Sequence, residues 1–178
     1  MKTKTISVLV FVTLTCLIPT PLFAEPETWQ THSYTVTRVL DGDTIQLTDG
    51  NLKFMLRIAT IDAPEKAQSF GKVAKARLQE LVGGKNVKIK PVGSGIEKYG
   101  RILGIAYIDS VDVSIKLIEE GLALYYRPFC KDYPEGKEKY DFDPRPFVEA
   151  EKIAKEKKLN FWSVKDVLPC EFRKKVTK

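Results

Sequence analysis

The sequence contains one histidine and three cysteines in 178 residues. That scarcity excludes whole classes of hydrolase. Zinc enzymes need several His, Cys or carboxylate ligands, and many nucleases use an imidazole as base or nucleophile. The lone His32 reads as a solvated residue just ahead of the first strand. Long hydrophobic runs are scarce too. The run from Ile6 to Ile18 is too short to span a bilayer. Internal repeats are absent, and a hydrophobic content of 43% excludes a disordered chain and suffices for one packed domain.

What stands at the N-terminus has the form of a secretory signal. Lys2 and Lys4 precede the apolar run, and Pro19, Pro21 and Leu22-Phe23-Ala24 follow it. Cleavage after Ala24 predicts a secreted or periplasmic protein with no membrane attachment after processing. A retained anchor would need a stop-transfer pattern that is missing. A lipid anchor at Cys16 would need a small-residue pair where Thr13-Leu14-Thr15 stands. Processing would remove two lysines and no acid, lowering the formal charge of +6 to +4. Moderate positive charge favours a polyanionic partner without specifying one. Cys130 and Cys170 would remain, and an even pair in an oxidising compartment predicts a disulfide; two separate thiols are the alternative.

Beyond the signal, strands come first and helices later. Tyr34 to Leu40 reads as a strand, ended by the Asp41-Gly42 turn. Ile45 and Leu47 alternate with polar residues up to Asp49-Gly50. Leu52, Phe54, Leu56 and Ile58 share one face of a third strand, which puts Arg57 on the other. Over 68–82 the period becomes helical through Ala74, Leu78, Leu81 and Val82. Val87 and Ile89 mark a fourth strand ending at Pro91, and Arg101 to Ile108 a fifth. Val111, Ile115, Ile118 and Leu122 mark a second helix, with Asp112 at its start and Gly121 at its end. Phe147, Ala150 and Ala154 mark a third. The pattern predicts an α+β domain over 33–164, a five-stranded OB-fold β-barrel with three packed helices, followed by a basic tail over 165–178.

With His32 as the lone imidazole and set ahead of the first strand, hydrolysis must rest on carboxylates, arginines and an oxygen-seeking metal. Three segments supply these groups: Asp41-Gly42-Asp43-Thr44, Arg57 through Asp62-Ala63-Pro64-Glu65, and Lys98-Tyr99-Gly100-Arg101. A water attacking a phosphodiester builds a second negative charge on the phosphoryl oxygens. Two guanidiniums and a divalent cation can neutralise it. Carboxylates, carbonyl oxygens and water suit calcium, and a carboxylate with no rival imidazole is the candidate to orient or deprotonate the attacking water. Taken singly, each segment is also an ordinary turn, loop or strand start.

In this order and spacing the segments resemble the staphylococcal nuclease (thermonuclease) family. The likeness extends through Gly121-Leu122-Ala123 and Lys158-Leu159-Asn160-Phe161-Trp162-Ser163, covering roughly 34–163. The resemblance implies a calcium-dependent phosphodiesterase that cuts DNA and RNA at the 5′-oxygen bond and leaves 3′-phosphorylated ends. It implies Arg57, Glu65 and Arg101 as the catalytic trio, and Asp43, Asp62 and Ala63 as calcium ligands, the last through its carbonyl. Ala63 stands where the type member has threonine, a change of little weight for a backbone ligand.

Lys98, Tyr99, Tyr125 and Arg127 are the expected substrate contacts. Aromatics beside cations favour single-stranded DNA or RNA, while Tyr125 and Tyr126 could equally pack between helix and barrel. The stretch over 128–145 is longer than the family's usual connection. A monomer is expected. The competing reading is a non-catalytic OB-fold nucleic-acid-binding envelope protein, against which the intact trio argues.

Overall fold

The computed structural model describes residues 32–97, 99–127 and 142–176. The signal segment, Lys98 and Cys130 therefore lie outside the described residues.

Alternation of apolar and polar residues builds the barrel. Strands β1 (His32–Val39), β2 (Thr44–Thr48) and β3 (Lys53–Ile58) form an antiparallel meander. β1 also pairs with β5 (Asn86–Ile96), which pairs with β6 (Ile102–Ile108). The barrel closes where β3 and β6 run parallel, with Arg57 opposite Leu103. Val36, Ile45, Leu47, Leu56, Ile58, Val87 and Ala106 point inward and are almost wholly buried. Each large aliphatic side chain so buried contributes about 1.5–3 kcal/mol. The expected five-stranded barrel is present, and its first strand already includes His32.

Three helices lie where the periodicity puts them, with shifted ends. α1 (Gly71–Val82) seats Ala74, Leu78 and Val82 against the core. It starts three residues later than expected because Phe70 is left-handed at φ 64°, a conformation no helix continues through. After the short β7 (Val111–Asp112), α2 (Val113–Glu119) is capped by Asp112, whose side chain accepts from the Ser114 N–H at 2.7 Å. α3 (Arg145–Glu156) buries Phe147, Ala150, Glu151 and Ala154.

Three elements depart from the sequence reading. β5 runs through Pro91 to Ile96, because β1 covers it only as far as Ile89. Past that point its outer edge needs no N–H donor, and proline is tolerated there. A two-stranded pair, β4 (Ile61–Asp62) with β8 (Leu124–Tyr125), sets Asp62 opposite Leu124. The basic tail is no loose end: α4 (Pro169–Val176) is a fourth helix, begun by a buried proline. Among the described residues no helix is long and apolar enough to cross a membrane.

Candidate active site

The barrel geometry brings the two expected catalytic arginines together. Arg57 and Leu103 are partners across the parallel β3–β6 seam. Residues two apart on a strand share a face, so Arg101 lies on the same side as Leu103 and Arg57. Both arginines line an open cleft of ≈ 840 Å³ with Asp41, Asp43, Ala63, Glu65, Glu97, Tyr99, Tyr126 and Arg173.

The carboxylates reach this cleft through tight backbone turns. The Asp43 amide donates to Asp41 Oδ1 at 3.1 Å, and its own carboxylate accepts from Thr44 Oγ1 at 3.0 Å and from the Ala63 N–H at 3.1 Å. Gly42 makes this possible, since a Cβ there would fall 2.6 Å from Ala63 Cβ. Glu65 is placed in a similar way. Its N–H donates to Gln68 Oε1 at 2.9 Å, and the Gln68 N–H returns a bond to the Glu65 carbonyl at 2.8 Å. The start of α1 presses against this loop, and a Cβ on Gly71 would lie 2.0 Å from the Glu65 carbonyl oxygen.

Three arginines neutralise the acidic side of the cleft. Arg57 Nη2 lies 3.0 Å from Asp43 Oδ2 and 3.7 Å from Asp62 Oδ1, and its Nη1 donates to the Ile58 carbonyl. Arg101 is gripped by Glu97, with Nε–Oε1 at 2.6 Å and Nη2–Oε2 at 3.1 Å. That pairing holds the Glu97 carboxyl below its ordinary pKa and the Arg101 guanidinium above its own. Arg173, reaching in from α4, bonds both Asp62 and Glu65.

Crowding sets the charge states. Burial, then the neighbouring Asp43 charge, pushes the Asp41 carboxyl up to about 6. Burial also raises Asp62, although Arg173 and Arg57 offset part of the effect. Carboxylates that hold protons more tightly than usual are ones a cation stabilises. The donors at Asp43, Asp62 and the Ala63 carbonyl are all oxygen, which fits a hard divalent cation such as calcium. Among the described residues no three His, Cys, Asp or Glu side chains converge as a cage. Asp43, Asp62 and the Ala63 carbonyl could hold such a cation together with water.

The family relationship rests on sequence as well as on this arrangement. A protein-family model described as "Staphylococcal nuclease homologue" matches residues 55–164. The chain belongs to the staphylococcal nuclease family. This family member is 35% identical over 136 residues to an uncharacterized endonuclease of Escherichia coli, an alignment spanning 75% of this chain and 79% of the relative. It is 31% identical over 144 residues to the micrococcal nuclease of Shigella flexneri, covering 76% of each chain. To the thermonuclease of Staphylococcus intermedius it is 32% identical over 138 residues, covering 74% of this chain and 76% of that one.

Within this staphylococcal nuclease homologue, two expected substrate contacts lie elsewhere. Tyr125 is only 7% exposed and stacks on Phe147 at 5.8 Å between ring centroids. Arg127 donates to the buried Glu151 at 2.9 Å and to the Tyr125 carbonyl at 3.0 Å. Both therefore pack between barrel and α3 and do not line the cleft. Tyr126 does line it, with the Arg57 guanidinium 6.0 Å from its ring centre. Tyr99, 70% exposed, stands beside Arg101 as expected.

Sequence reasoning passed over Glu97, Gln68 and Arg173, and weighed Tyr126 beside Tyr125 without separating the two. The four-residue step from Glu97 to Arg101 around a Tyr-Gly turn was a usable signal for the first. The three-residue step from Glu65 to Gln68 hinted at the second, as in a capping box. Tyr126 adjoins Tyr125, so strand alternation alone could have separated them. Nothing local marks Arg173.

Proposed function

We propose that this protein is a calcium-dependent nuclease that hydrolyses DNA and RNA at the bond between phosphorus and the 5′-oxygen, leaving 3′-phosphorylated ends. The observation that carries the reading is the meeting of Asp43, Arg57, Glu65 and Arg101 in one cleft. The printed names of its relatives, endonuclease, micrococcal nuclease and thermonuclease, support the same activity.

The chain's own groups divide the chemistry. Arg57 and Arg101 present N–H forks from adjoining strands to the phosphoryl oxygens, where the second negative charge develops. Glu65 orients a water against the phosphorus and accepts its proton, as the 5′-oxygen departs from the opposite side. Asp43, Asp62 and the Ala63 carbonyl would hold the cation, which when bound supplies further stabilisation of that charge. Tyr99 and Tyr126 offer ring faces to unstacked bases, favouring single-stranded substrate. Incubating the mature protein with single-stranded DNA or RNA, in calcium or in excess chelator, tests the reading. Digestion in calcium alone, giving ends that resist polymerase extension until a phosphatase acts, is expected. Undiminished digestion in chelator, or 3′-hydroxyl ends, would sink it.

The leader from Lys2 to Ala24 supports export of a monomer to the periplasm or medium, with Cys130 and Cys170 joined there. Such a bond would fix the 128–145 segment to α4 and contribute roughly 4 kcal/mol in the chain-entropy model. Mass spectrometry of secreted, non-reduced protein should find the cross-linked peptide; two alkylatable thiols would refute the pairing.

A further inference from the structure

Arg173 differs from every other residue lining the cleft. The others come from the barrel strands, the turns beside them, the segment leading into α1 or the residue after β8, whereas Arg173 comes from α4, far along the chain. Its Nη1 donates to Asp62 Oδ1 at 2.8 Å and to Glu65 Oε1 at 2.8 Å, and its Nη2 donates to Asp62 Oδ2 at 3.0 Å. One guanidinium thus engages both oxygens of Asp62 and one of Glu65. Those are a candidate metal ligand and the candidate base. Neither neighbouring arginine does this, since Arg57 approaches Asp62 only to 3.7 Å and Arg101 is committed to Glu97.

Beyond its start, where the proposed bond at Cys170 would anchor it, the element that carries Arg173 is lightly packed. Of the eight residues of α4, Pro169 alone is buried. Its approach segment is held to the Glu65 loop by two bonds, Gln68 Nε2 to the Val167 carbonyl at 2.8 Å and the Ser69 N–H to Asp166 Oδ2 at 3.2 Å. A helix of two turns has little stability without its docking contacts, and such elements open first.

We propose that α4 is an autoinhibitory latch, in which Arg173 is a tethered cation that occupies Asp62 and withholds Glu65 from water until a divalent cation displaces it. The proposal rests on the calcium reading above. Both cations require the lone pairs of Asp62, and two positive charges on one carboxylate repel. The guanidinium charge is permanent, so nothing short of displacement removes it. Tethering keeps its local concentration high, which makes it an effective competitor despite its modest contacts. Linkage then makes the effect reciprocal: docking of α4 weakens calcium binding, and calcium weakens docking of α4. The cation would serve both as cofactor and as the signal that opens the site.

Calcium titration by calorimetry on the mature full chain, with wild type, R173A and R173Q, tests the first half. Both variants should bind calcium at least about fivefold more tightly, the lower end of ordinary coupling between sites. Hydrogen exchange on the wild type tests the second half without any substitution, and calcium should accelerate exchange over 166–176. Unchanged or weaker calcium affinity in the variants overturns the latch, as does α4 protection that calcium leaves unaltered or raises. If wild type binds calcium and cleaves DNA while these readouts stay flat, the latch alone fails. If neither wild type nor variants bind calcium, the metal reading fails and the latch with it.

Discussion

Glu97 grips Arg101 with both carboxylate oxygens, at 2.6 and 3.1 Å, across a turn whose ends are joined by the Glu97 N–H and the Arg101 carbonyl at 2.9 Å. Under the proposed mechanism the pair fixes the fork of an arginine that would meet a phosphate with bidentate geometry. E97Q should therefore lower kcat on single-stranded DNA by up to about 100-fold, the scale of a small misplacement of a reacting group. Thermal stability should change little, because the pair is partly solvent-exposed. A variant with wild-type kcat would show that Arg101 needs no such support.

The proposed mechanism gives Arg57 a catalytic role beside the structural one its ion pairs show. R57A should cut turnover by about 10²–10³, as loss of a charge-stabilising donor does. It should also cost about 1–3 kcal/mol without calcium, since Asp43 and Asp62 lose a partner in a poorly hydrated site. Saturating calcium should then raise the Tm of R57A more than that of wild type. Scanning calorimetry with and without calcium checks this, and equal shifts would count against a cation at these carboxylates.

The adjacent tyrosines should behave differently. Y126A should raise KM for single-stranded DNA with Tm nearly unchanged, because its ring lines the cleft. Y125A should destabilise by about 3–5 kcal/mol through the cavity left against Phe147, with KM retained in the folded fraction. Steady-state kinetics beside denaturant melts separates them; the reverse pattern would restore Tyr125 as the substrate contact.

Glu151 is 2% exposed and paired with Arg127 and Lys155, the latter at 2.8 Å. Burial works against its charge, yet these partners prevail and hold its pKa below the ordinary 4.5. A carboxyl depressed on folding contributes stability above its unfolded pKa and loses it as pH falls through the folded one. E151A should cost about 3–5 kcal/mol at pH 7. The gap to wild type should shrink as pH drops below 4.5. Urea melts across that range test it, and a gap independent of pH would refute the charged pairing.

How much was legible in the sequence follows from the range of the forces involved. Period-two alternation through Ile45, Leu47, Leu56 and Ile58 declared the inward face of the barrel, because side-chain direction on a strand is a local property. The helical period of Ala74, Leu78 and Val82 did the same for α1. Residue types and spacing fixed the candidate chemistry, since carboxylates and arginines without histidine leave few routes to a phosphodiester. The tertiary structure decided what depends on distant contacts. Closure of β3 on β6 brought Arg57 beside Arg101, and packing against Phe147 turned Tyr125 inward while Tyr126 stayed in the cleft. Arg173 meets Asp62 across 111 positions of chain. No local propensity encodes such a meeting: it exists only because the barrel and the docking of α4 together bring the two side chains within hydrogen-bond reach.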